Sequence, residues 1–409
     1  MLVVLVYAFC IPVVAMHLPG VGGVGAADLL MPFGLLSLLL LSRVKPVQLS
    51  HIALMAFMFA SLLSLTMINQ KRIALDCTIR WIRLISIVLP FYFGLFMPLS
   101  DNQLKRAFWA YGLGGCFAVV VGMLIYVLQI EIRSDQQKLW VDGGFELRAG
   151  GLIGNSGAFG HLTATWCVAS IAALFALTKS RYQLLLAGIV MALTGYTIIS
   201  ASSRATMLHL IVGLGTFFLL FKTSANLRKQ IAAFSLVGGL CLAVAVGGKQ
   251  LMSSDSGGNA GSSALQTNLE RFIPGWGGKS LDEFTSNRAG NWPEYIAMMS
   301  ETWLLGTGYK TGVRMHEESP DNSYLSVMLE TGIVGFTCMG LFVIGVLYRL
   351  GVLYLAGDKF AAVMIPVCAG QLTHCLTSDV YTFWITMPIV YLLLGCVILR
   401  PLKTVELAQ

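Results

Sequence analysis

Pro320-Asp321-Asn322-Ser323-Tyr324-Leu325-Ser326-Val327-Met328-Leu329-Glu330-Thr331-Gly332-Ile333-Val334-Gly335-Phe336 is the stretch in which the chain changes solvent. It is polar through Asn322, and from Ser323 it enters an apolar run reaching about residue 348, long enough to cross a bilayer. An Asp-Asn pair at the mouth of such a span puts polar chemistry at a membrane surface. Upstream, the polar segment begins at Asn287-Arg288 and passes through Trp292-Pro293-Glu294 and a tight Gly306-Thr307-Gly308 turn. An arginine, a helix carrying Glu294, that turn and the Asp321-Asn322 corner form a candidate active site.

Composition fixes the class. Apolar residues make up 56% of the 409, charged residues 11%, and the mean hydropathy is +0.76. A soluble domain of this size cannot carry that balance on its surface. The expectation is an all-α polytopic membrane protein with a long extracytoplasmic loop containing short helices. The net charge of +7 does not point to nucleic acid, because the lysines and arginines fall mostly in short loops between apolar runs, where they set topology. Of nine cysteines, Cys10, Cys116, Cys167, Cys241, Cys338, Cys368 and Cys396 lie within apolar runs without CxxC or His-Cys spacing, so neither a disulfide framework nor a metal site is expected. The first apolar segment lacks a basic leader and a small-x-small cleavage site, and reads as a retained helix.

About twelve spans can be drawn, at 1–18, 27–42, 50–69, 79–99, 106–128, 156–178, 183–200, 204–221, 230–248, 323–348, 360–377 and 380–400. The chain divides into N-terminal helices (1–128), a first outer loop (129–155), central helices (156–248), a long outer loop with the active-site segment (249–322) and C-terminal helices (323–409). With both termini cytoplasmic, the inner loops hold Arg43, Lys45, Lys105, Arg106, Lys179, Arg181, Lys222, Arg228, Lys229, Arg349, Lys359, Arg400 and Lys403 against only Asp101, Asp358 and Glu406. Both long loops then lie outside. Residues 253–263 read as a flexible Ser/Gly linker. Trp292 to Trp303 has the pattern of an amphipathic helix at the interface. No internal or inverted repeat is visible, which argues against a secondary transporter.

The informative cations are those on the outer side. Arg204 sits in Ser200-Ala201-Ser202-Ser203-Arg204 at the mouth of an apolar helix; Lys71, Arg72, Arg80 and Arg83 form a second group, with Arg80 and Arg83 on one helical face around Trp81. Arg148 precedes Gly150-Gly151-Leu152-Ile153-Gly154-Asn155, and Arg288 opens the amphipathic helix. Planar guanidinium groups suit bidentate phosphate binding, and charges near membrane depth tend to mark function. The alternative for each is an anchor at lipid headgroups or a partner for a nearby acid. His161, His209 and His374, in apolar helices, read as interhelical hydrogen-bonding residues. Ser378 and Asp379, in the short outer turn between the last two helices, can line the outer cavity but read as a turn or cap.

From about Arg148 to Phe336 the chain resembles the O-antigen ligase and O-antigen polymerase superfamily of bacterial envelope glycan assembly. The residues carrying the resemblance are Arg148 to Asn155, Ser203-Arg204-Ala205, Asn287-Arg288 with Trp292, Gly306-Thr307-Gly308, and Asp321-Asn322 with Tyr324, Leu325, Glu330 and Gly332 to Gly335. The resemblance implies sugar transfer at the outer face of the inner membrane from a polyprenyl-pyrophosphate-linked glycan to a lipid-linked acceptor, with no cofactor or metal. In agreement, the chain has no Asp-x-Asp motif to seat a cation beside a diphosphate, which leaves arginines to stabilise the leaving group.

The final block departs from the family pattern. Ligases and many polymerases resemble His-Asn-x-x-Leu there, whereas this chain has Asp321-Asn322-Ser323-Tyr324-Leu325, with His316 five positions earlier. Asp321 or His316 can relieve the acceptor hydroxyl of its proton; Glu294 is a further candidate base; Asp321 or Asn322 can equally cap the helix that follows. The expected roles are catalytic for Asp321, Arg288 and Arg204, and substrate-binding for Arg148, Arg80, Arg83, Asn322, Tyr324, Glu294, His316 and Trp292. Polymerisation of lipid-linked repeats is the reading favoured by the missing histidine. Ligation to lipid A-core or another acceptor is the alternative, and a flippase is a third. A chain-length-regulating membrane protein is a possible partner.

Overall fold

The computed structural model describes residues 2–13, 15–18, 22–41, 48–97, 99–130, 132, 138–141, 144–179, 181–201, 203–221, 288–312, 321–381 and 386–402. The span expected at 230–248, the linker 253–263 and His316 lie outside them. The helices are α1 (Leu2–Val13), α2 (Ala26–Leu41), α3 (Leu49–Ser64), α4 (Lys71–Phe96), α5 (Asp101–Val127), α6 (Ser156–Leu177), α7 (Gln183–Ala201) and α8 (Arg204–Leu220). They continue with α9 (Arg288–Met299), α10 (Ser323–Leu355), α11 (Lys359–His374) and α12 (Met387–Ile398). Two short antiparallel hairpins sit in connections: β1 (Ala15–Leu18) with β2 (Gly22–Gly25), and β3 (Lys138–Val141) with β4 (Gly144–Leu147).

The fold is the all-helical, polytopic membrane architecture expected from composition. Among the described residues, six helical segments are long and apolar enough to cross a bilayer. Their outward faces stay apolar where a soluble protein would turn polar: Leu113, Leu185 and Ile344 are each more than 60% exposed. Boundaries differ from hydropathy where polar residues are helical. Helix α4 starts at Lys71 rather than 79, because its first two turns carry Lys71, Arg72 and Asp76. Helix α1 is shorter than drawn, since the chain turns into the β1–β2 hairpin.

Caps set several starts. Ser100 and Gln103 form a reciprocal capping box on α5, with Ser100 N–H donating to Gln103 Oε1 at 2.9 Å. Asn155 and Asp358 cap α6 and α11 through their side-chain oxygens. Helices α4 and α12 pack backbone to backbone at Gly94 and Gly395, where any side chain would overlap the facing carbonyls of Leu392 and Phe91.

The bundle has two chemically distinct ends. At one, Arg400 bonds Asp101 and Asp358, both at 2.6 Å, and Arg349 donates to the carbonyls of Ile398 and Arg400. These are residues that the charge count assigns to the inner face. At the other end meet the α3–α4, α5–α6, α7–α8 and α11–α12 connections and the start of α10.

Candidate active site

The site is organised by a break in α10. Gly332 has φ of +63° and ψ of −168°, which interrupts a helix otherwise running from Ser323 to Leu355. In an unbroken helix the N–H groups of Ile333 and Val334 would bond the carbonyls of Leu329 and Glu330. Here Ile333 N donates to Trp303 O at 2.8 Å and Val334 N to Leu304 O at 3.4 Å, while Leu329 O and Glu330 O accept from Thr307 N at 2.8 Å and Gly308 N at 3.1 Å. These four released groups are taken up by segment 303–308, as burial near membrane depth demands. Gly306, at φ of +74°, lies so close to the Glu330–Thr331 peptide that a Cβ would overlap it. The Gly306-x-Gly308 and Glu330-x-Gly332 motifs are therefore the two halves of one joint.

Immediately beyond the joint is a buried polar cluster. Lys310, itself at φ of +61°, forms an ion pair with Asp379 in the α11–α12 connection. Its ammonium lies 5.2 Å from the Tyr381 ring centroid and 5.9 Å from that of Tyr309. Its backbone N–H bonds the Glu330 carboxylate, which also accepts from Tyr381 OH at 3.3 Å. Tyr309 N donates to Ser64 Oγ at 3.0 Å, tying the segment to α3. Burial alone would lower the Lys310 pKa; the Asp379 carboxylate, with Glu330 adding, more than offsets it and holds the ammonium above the ordinary lysine range. Burial, foremost, pushes the Tyr309 and Tyr381 phenols well up.

The Asp321-Asn322 corner is stitched to the same connection. Ser323 N donates to Cys375 O, Ser323 Oγ donates to Ser378 O, and Val380 N donates back to Ser323 Oγ, each at 2.8 Å. The start of α10 is thus held against the connection that carries Asp379. The helix cap is Asn322, whose Oδ1 accepts from Tyr324 N at 3.0 Å and Leu325 N at 3.2 Å. Asp321 is partly exposed at φ of +46°, a left-handed turn that Asp and Asn tolerate better than most residues. Tyr324 OH donates to Leu372 O at 2.9 Å, bridging α10 to α11.

Arg148 is held at a second corner on the same end, through a carbonyl close in sequence to the start of α8 at Arg204. Arg148 Nε and Nη2 donate to Ala201 O at 2.9 and 2.6 Å, and Ala149 N donates to Ser200 O at 2.9 Å. The turn 148–155 is thereby pinned to the α7–α8 connection, three residues before partly buried Arg204. Arg80 is paired with Asp76 at 2.9 Å and Arg83 lies 3.7 Å from Asp28. Arg80 lies within electrostatic reach of Lys310, and Arg83 within that of Tyr309. On α9, Glu294 is exposed, Tyr295 is buried and Trp292 is partly buried.

Lys310, Glu330 and Asp379 are the residues that sequence reasoning did not assign to the site. An acid inside an apolar helix is a functional signal in itself, and Glu330 carried it. Lys310 and Asp379 are separated by 69 positions, and only the fold reveals them as a pair.

The three-dimensional arrangement agrees with sequence comparison over the same segment. No curated protein matches the chain. Residues 188–340, which hold Arg204, Arg288, Asp321 and both halves of the α10 joint, are similar to the family described as O-antigen ligase, whose model matches that stretch of the chain.

Proposed function

We propose that the chain is a membrane glycosyltransferase that polymerises oligosaccharide repeats carried on polyprenyl pyrophosphate, at the outer face of the bacterial inner membrane. The observation that carries this reading is an apolar cavity of about 370 Å³ among α10, α11 and α12 that begins at the polar corner. Its lining follows α10 from Ser323 through Val327, Phe336 and Val343 to Leu347. Beyond the break at Gly332, the stretch from Phe336 to Leu347 alone is roughly 16 Å of regular helix at about 1.5 Å per residue, about half a bilayer's hydrocarbon depth. A lipid-tailed substrate can keep its chain in such a groove while its head reaches Asp321.

In this reading Arg204 and Arg288 bind the donor pyrophosphate, with Arg148, Arg80 and Arg83 supporting the positive field. The acceptor hydroxyl oxygen bonds to the donor's anomeric carbon as the bond from that carbon to the phosphate oxygen breaks. The electron pair leaves with the polyprenyl pyrophosphate, where guanidinium groups stabilise it without a divalent cation. Asp321 orients the acceptor hydroxyl and takes its proton. The Lys310–Asp379 pair and the α10 joint hold this corner in place. Transfer to lipid A-core or another non-repeat acceptor uses the same donor chemistry and is the second reading, favoured by the description of the matching family.

The test is a reaction of the purified protein with lipid-linked repeat units alone. A ladder of lengthening lipid-linked glycans is the expected product. Unchanged single repeats, converted only when a core acceptor is added, would replace polymerase with ligase.

A further inference from the structure

One end of α6, α8 and α11 holds three histidines that the site described above does not use. His161, His209 and His374 are at most 1% exposed, and one ring nitrogen from each lies within 4.8 Å of the others. His161 and His209 are each five residues from the start of their helices, while His374 ends α11. The cluster is therefore about 7–8 Å below the polar end of the bundle, beneath Arg204.

The hydrogen bonds around the cluster fix one tautomer. Gln371 Nε2 donates to Thr165 Oγ1 at 2.7 Å, and that hydroxyl donates onward to His161 O at 2.8 Å. Gln371 Oε1 therefore faces His161 Nε2, at 2.6 Å, as an acceptor. His161 must carry its proton on Nε2, which puts the lone pair of the neutral ring on Nδ1. Metal-binding histidines are held in this way, with the far N–H given to an oxygen.

The other two rings meet through Nδ1. His209 Nδ1 and His374 Nδ1 are 3.3 Å apart. That is long for a good hydrogen bond, at about 2.7–3.2 Å. It is close to the roughly 3.3–3.4 Å between two nitrogens on one tetrahedral zinc, given Zn–N of about 2.0–2.1 Å. His209 Nε2 is buried with no hydrogen-bond partner among the described residues, and its edge lies against Gly370, where any side chain would overlap the ring. The ring is thus held with Nδ1 toward His374.

We propose that His161, His209 and His374 form a site for a divalent transition metal of the zinc type, with a fourth position left for water or an anion. Three neutral imidazoles suit zinc, copper or nickel and not magnesium or calcium. To close on an ion, the widest nitrogen pair must draw in by about 1.4 Å, within reach of side-chain rotation. Such an ion joins α6, α8 and α11 at one point and sets the position of Arg204 relative to the connection carrying Asp379. Its role is positioning, apart from the reacting atoms.

The test uses tag-free, full-length protein in detergent, stripped with a chelator and titrated with Co²⁺ or Zn²⁺. One ion per chain is expected, with the visible absorption of four-coordinate, nitrogen-ligated cobalt and a zinc-dependent rise in the thermal midpoint. His209→Ala should abolish stoichiometric binding. Gln371→Leu, which removes no ligand, should weaken binding about 10- to 100-fold, and it decides the matter if the histidine variant does not fold. Only trace metal on the wild type at micromolar free ion, or wild-type stoichiometry and spectrum in His209→Ala, overturns the site.

Discussion

Gly332 in α10 and Leu304 in the preceding segment meet backbone to backbone, so closely that a Cβ on Gly332 would overlap the Leu304 carbonyl oxygen. The same glycine holds φ at +63°, a region costly for other residues. The helix break, the Gly306-x-Gly308 turn and the placement of Lys310 and Glu330 all depend on this contact.

Gly332→Ala and Gly306→Ala should each destabilise the protein severely. The backbone strain alone is about 1–3 kcal/mol, and the overlap adds to it. Gly340→Ala, with open space around its Cα, should be neutral or gain about 0.5–1 kcal/mol from helix propensity. Thermal midpoints in detergent distinguish these outcomes; a stable, active Gly332→Ala protein would show that the joint is not needed.

The buried Lys310–Asp379 pair predicts an asymmetric double-mutant cycle. Lys310→Met or Asp379→Leu alone should cost about 3–5 kcal/mol, because each strands a largely buried charged partner, and the double variant Lys310→Met with Asp379→Leu should recover part of it. The Lys310 pKa is raised on folding, so its contribution is complete below the unfolded lysine value of about 10.4 and is lost as pH climbs through the higher folded value. Stability from this pair should therefore be flat from pH 7 to 9 and fall only in strong alkali. A thermal midpoint that drops between pH 7 and 9 in the wild type, and not in Lys310→Met, contradicts this account.

Much of the fold is legible in the sequence because bilayer solvation writes itself as long apolar runs. The partition of charges is equally legible: Arg400 meets Asp101 and Asp358 at one end, as loop assignment anticipates. The Glu330-x-Gly332 and Gly306-x-Gly308 motifs are visible as motifs, but their exchange of hydrogen bonds is a tertiary fact that no local pattern carries. The same holds for His161, His209 and His374, which are distant in sequence and lie on three different helices. The role of Asn322 is legible only as one of two candidates, since adjacent Asp and Asn are both good caps; the N–H groups of Tyr324 and Leu325 donating to Asn322 Oδ1 decide it.

The charge count predicts a membrane orientation that is testable at each end of the bundle. In a cysteine-free background, a cysteine at Glu301, exposed after α9, should react with an impermeant thiol reagent in cells whose outer membrane has been permeabilised. One at Asn102, exposed at the start of α5, should react only after the inner membrane is opened. The reverse pattern would put the site on the cytoplasmic side and remove it from the proposed substrates.

Arg204→Lys keeps the charge but loses the planar fork that binds two phosphate oxygens at once. Loss of such a contact in the transition state should cost about 2–4 kcal/mol, roughly 30- to 1000-fold in rate. Glycan length in cells expressing the variant at native levels reports the effect. A normal length distribution would reassign Arg204 to holding the α7–α8 corner beside Arg148.

Asp321 and Asn322 separate chemistry from capping. Asn322→Ala removes the oxygen that accepts from Tyr324 N and Leu325 N, and should cost about 0.5–2 kcal/mol of stability with a smaller effect on rate. Asp321→Asn leaves that cap in place and keeps a residue type that accepts the left-handed backbone at φ of +46°, so the fold should survive. An amide cannot take the acceptor's proton at neutral pH, and the rate should fall by about 100- to 10,000-fold. Both variants are to be assayed with purified protein and lipid-linked repeats, alongside thermal unfolding. If Asp321→Asn turns over at the wild-type rate, the hydroxyl proton leaves by another route. Glu294, His316 and Asp379 are then the carboxylates and imidazole to replace next.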